Sequence, residues 1–501
     1  MIVSCAQMLE GEQAAFARGV SAADLMDEAA RGIFEAIRQF RPCPGTAVLY
    51  LGKGNNAGDA LVVGKHLLEA GWKVLARPIG NVAEYKELPA KHWQALEGRV
   101  PLFTGPDGLK RARGPLLLVD GILGIGASPS PLRGAYAAAV SEMNALRRER
   151  HAFTVAVDLP SGLNCLTGEP GDPCVEADLT VTVAHVKDVL LADGATKVVG
   201  RLAVAPLAAL EDVLGDDTAR VLTPDELLPG LPCRSFDFHK GQAGRVGVIA
   251  GSRGYVGAAI LTATGALRGG AGLITLYVKE DSYPIFAAQA PDEVMVKPVG
   301  DYREVLEDRH DVLAIGPGLG RKSEDRILEV IQQSTVPMVL DADALNMLAP
   351  GRLSMLKALK SSALLTPHPG EMERLTKARP DCQGASRRKI VTNMAKEFPQ
   401  TTWLLKGSRT VIATRGHPLS LNTTGHPGMA TGGMGDVLTG ICAALIGQGV
   451  KLHEAACLGA WLSGRAAECA LLDAQSAESL TPGDVLAHLG RAFTDLKNRA
   501  Y

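Results

Sequence analysis

The stretch that decides most about this chain is Gly425-His426-Pro427-Gly428-Met429-Ala430-Thr431-Gly432-Gly433-Met434-Gly435-Asp436-Val437-Leu438-Thr439-Gly440. Several glycines stand within a few positions of Asp436 in the sequence, and an apolar run with helical character follows directly over 437–447. A glycine-rich turn that opens a helix offers free N–H groups and the positive end of the helix dipole, which suit a phosphoryl group. The carboxylate can then take a proton from a hydroxyl that attacks phosphorus. The alternative is a glycine loop with an acidic capping residue.

Length and composition favour two domains and exclude several classes of protein. The 501 residues exceed one ordinary core, and 46% hydrophobic with 21% charged residues is typical of a soluble globular protein. A net charge of −2 gives no argument for binding nucleic acid or membrane. The nine scattered cysteines indicate reduced core residues, without disulfides or zinc. Because no signal peptide or membrane-spanning run is visible, we expect a cytoplasmic protein.

Both halves alternate short β-type runs with helical patterns, which predicts parallel sheets covered by helices. The first half has strands at 46–51, 73–78, 116–119, 154–157 and 180–184, with a helix over 59–70. The second half has strands at 245–250, 312–315, 338–340, 363–366 and 403–405. The periodicity fails over 214–220, which places the domain boundary near residue 217. In each half, ligands should gather at the C-terminal ends of the strands.

The first half carries three polar loops after predicted strands. The loop 52–59 contains Asn55, Asn56 and Asp59, and the other two begin with Asp120 and Asp158. Together with Ser161 they could bind a monovalent cation and leave Asp158 for proton transfer. The alternatives are an asparagine-rich turn and strand-end aspartates that cap the structure. Lys187 is either a charge partner or a solvated lysine.

These loops make residues 1–215 resemble the NAD(P)H-hydrate epimerase domain family, which implies a Rossmann-like three-layer domain. The carrying motifs are 55–59, 120–124 and 158–163, with Leu25-Met26-Asp27-Glu28-Ala29 earlier. The family usually has glycine where this chain has Ala57 and Ala60. The resemblance implies potassium at Asn56, Asp120 and Ser161. It implies that the following residues contact the hydrated nicotinamide nucleotide: Asn55, Asn56, Ala57, Gly58, Asp59, Gly124, Ile125, Gly126, Ala127, Ser128, Pro129, Ser130 and Asp158.

In the second half, polar residues again follow predicted strands. Lys406 stands beside Gly407 and can meet a diphosphate, with hydroxyls from Ser408 and Thr410, unless it is a solvated hairpin lysine. His368 lies between two prolines and either contacts substrate or is structural. The acids at 341 and 343 suit magnesium through water, or simply cap a helix.

Six motifs in order make residues 222–501 resemble the ADP-dependent NAD(P)H-hydrate dehydratase family, which implies a ribokinase-like fold. They lie at 239–241, 251–259, 316–320, 366–371, 405–407 and 428–436. The resemblance implies Mg²⁺ and ADP as co-substrate. It implies hydrate contacts at Ala258, Gly318, His368 and Asp436, and AMP contacts at Lys406, Gly407, Ser408, Arg409, Thr410 and Gly435.

Both resemblances together indicate a bifunctional repair enzyme, with an epimerase domain at 1–217 and a dehydratase domain at 222–501. Its substrates would be the hydrates of NADH and NADPH, with Asp158 and Asp436 as catalytic residues, and we expect a homo-oligomer. Two alternatives remain at this point: a ribokinase-class small-molecule kinase that uses the same loop, and a nucleotide-sensing scaffold without activity.

Overall fold

The computed structural model describes residues 1–110, 112–127, 131–349, 351–378, 385–473 and 475–501. The chain divides into two compact units, Met1–Asp217 with Tyr501, and Thr218–Ala500. Within the described ranges, no helix combines the length and the hydrophobicity needed to cross a bilayer.

The first unit is built on a parallel sheet. Its strands are β1 (Ile2–Val3), β2 (Thr46–Leu51), β3 (Lys73–Pro78), β4 (Leu116–Gly121), β5 (Phe153–Val157), β6 (Leu179–Val183), β7 (Val186–Lys187) and β8 (Arg201–Ala205). Its helices are α1 (Cys5–Ala17), α2 (Ala22–Phe40), α3 (Asn55–Glu69), α4 (Glu87–Leu96), α5 (Gly134–Arg150) and α6 (Thr196–Val199). The sheet order is β3-β2-β4-β5-β6-β8 with all neighbours parallel, and β1 pairs separately with β7.

Strand β2 shows why this sheet has an uninterrupted apolar sequence. Ala47, Leu49 and Leu51 pack with residues of α2 and α3, whereas Val48 and Tyr50 pack on the opposite face with residues of α5. Since both faces are covered, both sets of alternating side chains must be apolar. The arrangement confirms the predicted three-layer, Rossmann-like α/β domain.

Two element boundaries differ from the sequence prediction. Helix α3 begins at Asn55 and not at Asp59, with Gly54 as its extended N-cap, so Asn55–Asp59 form its first turn. Asparagine and glycine favour turns, which is why the sequence suggested a loop there. Residues 219–221, which the sequence left between the domains, form an edge strand of the second unit.

The second unit has a larger, mostly parallel sheet. Its strands are β9 (Ala219–Val221), β10 (Arg245–Ile249), β11 (Leu273–Lys279), β12 (Val294–Val299), β13 (Val312–Ile315), β14 (Met338–Leu340), β15 (Ala363–Leu365), β16 (Thr401–Leu405), β17 (Thr410–Thr414) and β18 (Leu419–Asn422). The order is β12-β11-β10-β13-β14-β15-β16-β17-β18-β9, and the pairs β16–β17 and β17–β18 are antiparallel. Its helices are α7 (Pro224–Leu227), α8 (Val256–Arg268), α9 (Tyr283–Gln289), α10 (Glu324–Gln333), α11 (Asp343–Leu348), α12 (Pro369–Thr376), α13 (Ala385–Glu397), α14 (Met434–Gly447), α15 (Leu452–Asp473) and α16 (Pro482–Lys497).

Close packing of α8 against α14 fixes the position of the glycine-rich loop. A Cβ atom at Gly440 would lie 2.1 Å from the carbonyl oxygen of Thr262, and one at Gly265 would lie 2.6 Å from that of Val437. The two helices therefore touch backbone to backbone, which only glycine permits at these points. Helix α14 begins at Met434, three residues before the predicted start, so Asp436 lies in its first turn.

Candidate functional site

The three residues predicted to hold a cation lie in one hydrogen-bonded network. Ser161 donates to Asp120 twice, from Oγ to Oδ1 and from its N–H to Oδ2, both at 2.7 Å. Leu123 joins them to Asn56, because its N–H donates to Ser161 Oγ at 2.9 Å and its carbonyl accepts from Asn56 Nδ2 at 3.0 Å. The structure thus brings Asn56, Asp120 and Ser161 together.

The charge balance of this network fits a monovalent cation. Asp120 is 0% exposed, and no Lys or Arg of the described residues forms an ion pair with it. Burial raises its pKa to about 6, against the opposing effect of the hydrogen bonds from Ser161 and Ile122. A buried carboxylate needs a counter-charge to stay ionised. Carboxylate, hydroxyl and amide oxygens are the ligands that hard cations prefer.

Asp158 is held by a buried lysine. Its Oδ1 accepts hydrogen bonds from Lys187 Nζ at 2.6 Å, Val183 N–H at 3.0 Å and Thr182 Oγ1 at 3.1 Å. Lys187 is 1% exposed, so it is the charge partner and not a solvated lysine. Asp158 has a left-handed backbone, with φ of 64°. No described residue hydrogen-bonds to its Oδ2, which leaves that oxygen for a ligand proton.

Two further acids lie in the electric field of Asp158. Burial raises the pKa of Asp59 well above its usual range, and the charges of Asp158 and Glu12 raise it further. Burial and the charge of Asp158 also raise the pKa of Glu12 to about 7, against the opposing charge of Lys187. Glu12 is not among the residues predicted from the sequence, because the acids that act on it, Asp59 in α3 and Asp158 directly after β5, are distant in the chain.

The loop after β4 lines a cleft beside this network, together with residues 159–165. Gly124 and Ala127, two of the predicted nucleotide contacts, line this cleft. Ile125 instead packs against an apolar cluster that includes Val3 and Met8. The predicted contacts Ser128, Pro129 and Ser130 lie outside the described residues.

The two alanines that replace glycine cause no backbone strain. Ala57 is fully buried inside α3 and is absent from the residues with positive φ. Ala60 faces Gly121, where a Cβ atom would lie only 2.4 Å from the Ala60 methyl group. The missing side chain of Gly121 therefore makes room for Ala60.

In the second unit, strands β10, β13, β14, β15 and β16 are neighbours in the sheet, so the loops that follow them lie side by side along the edge formed by the C-terminal strand ends. Ser252 Oγ donates to the Gly318 carbonyl at 2.8 Å, and Gly320 N–H donates to Asp343 Oδ2 at 2.8 Å. The predicted hydrate contacts Ala258 and Gly318 lie at the β10 and β13 end of this edge. The predicted nucleotide contacts at 406–410 follow β16.

A lysine surrounded by carboxylates occupies the middle of the edge. Lys406 Nζ contacts Asp341 Oδ1 at 2.8 Å and Glu371 Oε2 at 3.9 Å, and Thr439 Oγ1 donates to Asp341 Oδ2 at 2.9 Å. Burial alone would lower the pKa of Lys406, but the charges of Asp341 and Glu371 outweigh it, so the pKa is raised. Lys406 is therefore a fixed ammonium group, and the solvated alternative is wrong.

Asp436 is the carboxylate of the second unit whose pKa lies near neutral pH. Burial and the charges of Asp341 and Glu371 raise its pKa to about 7, against the opposing charge of Lys406. The preceding residue, Gly435, lies beside the lysine, since a Cβ atom there would be 3.1 Å from Lys406 Nζ. A base of this pKa next to an ammonium group and the free N–H groups of a helix is suited to activating a hydroxyl toward phosphorus.

His368 caps helix α12 in a defined protonation state. Its Nδ1 accepts hydrogen bonds from the N–H groups of Gly370 at 3.0 Å and Glu371 at 3.4 Å. Burial lowers its pKa, and the charges of Lys406 and Arg374 lower it further. The imidazole is therefore neutral with its proton on Nε2, which lies 3.4 Å from Glu371 Oε1 on a half-exposed ring, so a ligand can share that proton with the carboxylate.

The predicted nucleotide loop offers fewer side chains than expected. Arg409 is 4% exposed and Thr410 is 9% exposed, and Thr410 Oγ1 donates to the Gly407 carbonyl at 3.3 Å. Gly407 and Ser408 are exposed. The hydroxyl of Ser408, the backbone of the turn and Lys406 therefore remain as the groups that can face a ligand.

The two acids that follow β14, Asp341 and Asp343, make different contacts. Asp343 accepts hydrogen bonds from the Gly320 N–H and from Asn346 Nδ2, and helix α11 has no side-chain cap hydrogen bond. This acid therefore ties the loop after β13 to α11 and does not cap the helix. In the described part of the chain, no three His, Cys, Asp or Glu side chains are arranged to hold a metal by themselves. Mg²⁺ usually binds one or two carboxylates together with substrate phosphates. Glu371 fits that need, because Lys406 Nζ lies 3.9 Å from it and contacts Asp341 more closely, at 2.8 Å.

Comparisons with known proteins agree with this geometry. Residues 22–189 match the family described as the YjeF-related protein N-terminus, and residues 246–489 match the NAD(P)H-hydrate dehydratase family. The bifunctional NAD(P)H-hydrate repair enzyme of Moorella thermoacetica is 38% identical, covering 94% of this chain and 92% of that protein. Its counterpart in Escherichia coli is 32% identical, covering 91% and 87%.

Among solved structures, the ADP/ATP-dependent NAD(P)H-hydrate dehydratase from Bacillus subtilis, co-crystallised with ATP and Mg²⁺, is 30% identical with a TM-score of 0.50. It covers 56% of this chain and 99% of its own, and so supports the ribokinase-like fold of the second unit. The chain belongs to the family of bifunctional NAD(P)H-hydrate repair enzymes.

Proposed function

We propose that residues 222–501 dehydrate the S epimer of hydrated NADH or NADPH with ADP, through Asp436 as general base. The observation that carries this is the carboxylate of pKa about 7 beside Lys406 at the start of α14. Asp436 takes the proton of the ring hydroxyl, whose oxygen attacks the β-phosphorus of ADP, and AMP leaves. The phosphate ester is then eliminated: the carbon–oxygen bond breaks, the neighbouring carbon loses a proton, and the ring double bond returns.

Other residues of the second unit position the reactants. Lys406, the Gly435 backbone and the turn at Gly407, Ser408, Arg409 and Thr410 hold the AMP portion. Ala258, Gly318 and His368 contact the hydrate, with His368 donating from Nε2. Mg²⁺, held by Glu371 and the phosphates, would neutralise charge that develops during transfer.

We further propose that residues 1–217 interconvert the R and S epimers through Asp158. Its free Oδ2 exchanges a proton with the hydrated ring, while Lys187 keeps the carboxylate in place. Asn56, Asp120 and Ser161 would hold K⁺, which supplies the counter-charge that Asp120 lacks. The first turn of α3 and the loop 124–130 contact the nucleotide.

Both activities are tested in one mixture. The full chain is given the R epimer of hydrated NADH, ADP, Mg²⁺ and K⁺, and reduced nicotinamide absorbance and free phosphate are followed. We expect stoichiometric NADH, AMP and phosphate. A small-molecule kinase would accumulate a stable phosphorylated product instead, and a sensing scaffold would return the epimer unchanged.

Two properties stay predictions: the cytoplasmic location and the homo-oligomer. Light scattering on the purified chain measures the second, and a mass of one chain would contradict it.

A further inference from the structure

Tyr255 is an exposed aromatic residue at the hydrate end of the second site. Its side chain is 64% exposed. It is the N-cap residue of α8, directly before the turn that carries Ala258. No described residue hydrogen-bonds to its hydroxyl, so the ring and its polar tip both face outward.

Hydrogen bonds fix the backbone around Tyr255. Its N–H donates to the Ser252 carbonyl at 2.8 Å, and Ser252 Oγ donates to the Gly318 carbonyl at 2.8 Å. Gly318 has a φ of 62°, and a Cβ atom there would lie 2.9 Å from the Cβ atoms of both Tyr255 and Ala258. The ring therefore projects from a rigid point that touches both residues proposed to contact the hydrate.

We propose that Tyr255 binds the hydrated nicotinamide by stacking its ring on that group. The inference rests on the proposed function, since Ala258 and Gly318 mark the hydrate end. The hydrated ring keeps a double bond conjugated to its carboxamide, a flat and uncharged unit that suits an aromatic face. The small residues beside Tyr255 leave space for it.

The position of Tyr255 also separates it from the turn proposed to bind ADP. Strand β16, which leads to the ADP-binding turn, lies three strands away from β13 in the sheet. The phosphates need the ammonium group of Lys406, which lies in that direction. Tyr255 should therefore affect binding of the hydrate and leave binding of ADP unchanged.

The test compares Tyr255→Ala and Tyr255→Phe with Phe236→Ala as a control. Phe236 is fully exposed in a loop at the opposite sheet edge, where Arg234 Nη2 donates to the Gly270 carbonyl just before β11. Calorimetry measures binding of the S hydrate without ADP to chains that also carry Asp158→Asn, so that neither dehydration nor the proposed epimerisation proceeds. Binding at the first unit is then the same in every variant, and differences between variants report on the second site. Steady-state rates then give kcat and both KM values.

We expect Tyr255→Ala to weaken hydrate binding about tenfold and to raise the hydrate KM equally, with kcat and the ADP KM unchanged. Tyr255→Phe and Phe236→Ala should bind like the wild type. Wild-type affinity in Tyr255→Ala would overturn the inference. Equal losses in Tyr255→Phe and Tyr255→Ala would also overturn it, since the hydroxyl would then be the contact. If the wild-type chain fails to dehydrate the hydrate at all, the proposed function itself is wrong.

Discussion

Replacing Asp436 by asparagine should abolish dehydration and at the same time stabilise the protein at alkaline pH. The carboxylate has a pKa of about 7 in the folded chain, against 3.8 for an ordinary aspartate. Such a shift corresponds to about 4 kcal/mol of unfavourable ionisation. Because Asp436 is partly solvent-exposed, screening reduces this, and we expect about 2 kcal/mol.

The pH dependence follows from the direction of that shift. A carboxyl group with a raised pKa favours the folded state below pH 3.8, and this contribution is lost as pH rises through about 7. Asparagine never ionises, so the advantage of the variant should be absent near pH 4 and full above pH 7. In the wild type, kcat/KM for dehydration should rise with pH up to about 7, as the base ionises.

Urea unfolding of the full chain at pH 5 and pH 8, with the pH profile of dehydration, measures both effects. Asp436→Asn should lose at least a hundredfold in kcat. Asp341→Asn is the matched control, since it also replaces a buried aspartate of this site by asparagine but removes the carboxylate that contacts Lys406 at 2.8 Å. It should therefore lower the free energy of unfolding at pH 8, where Asp436→Asn raises it. A variant Asp436→Asn that is less stable than wild type at pH 8, or as active, would refute the reasoning.

Three further predictions concern the first unit. Asp158→Asn should slow conversion of the R epimer at least a hundredfold, and dehydration of the S epimer in the same sample should stay unchanged. Since protons and K⁺ compete for Asp120, with a pKa of about 6, the K⁺ concentration for half-maximal epimerisation should rise below that pH; a flat profile would contradict the assignment. Ala57→Gly should lower the free energy of unfolding, measured with urea, by about 1 kcal/mol, because Ala57 lies in a helix. The same change should not make epimerisation faster.

The sequence predicts the framework of both sites because strand ends and glycine turns are local features. Asp120, Asp158, His368 and Asp436 stand at such positions and were recognised individually. The partners of these residues come from distant parts of the chain. Thr439 contacts Asp341 across 98 positions, and Lys187 contacts Asp158 across 29. No local pattern encodes these pairs.

Helix starts and buried side chains were harder to predict for the same reason. Asn55 and Met434 begin their helices within glycine-rich turns, where turn propensity hides the first helical residues. Thr410 offered a hydroxyl by sequence, but the hairpin of β16 and β17 turns it onto the Gly407 carbonyl. Tertiary pairing decided each case.

Both sites bury more carboxylate than the side chains around them can neutralise. In the first unit, no described lysine or arginine pairs with Asp120, and Lys187 pairs with Asp158, while burial and the charge of Asp158 raise the pKa values of Glu12 and Asp59. In the second, Lys406 is shared by Asp341, Glu371 and Asp436. Such an excess raises the pKa of the acids, which produces a base that works at neutral pH, but it also costs stability. A cation that enters with the ligand would remove that cost, so substrate binding and charge neutralisation are coupled at each site.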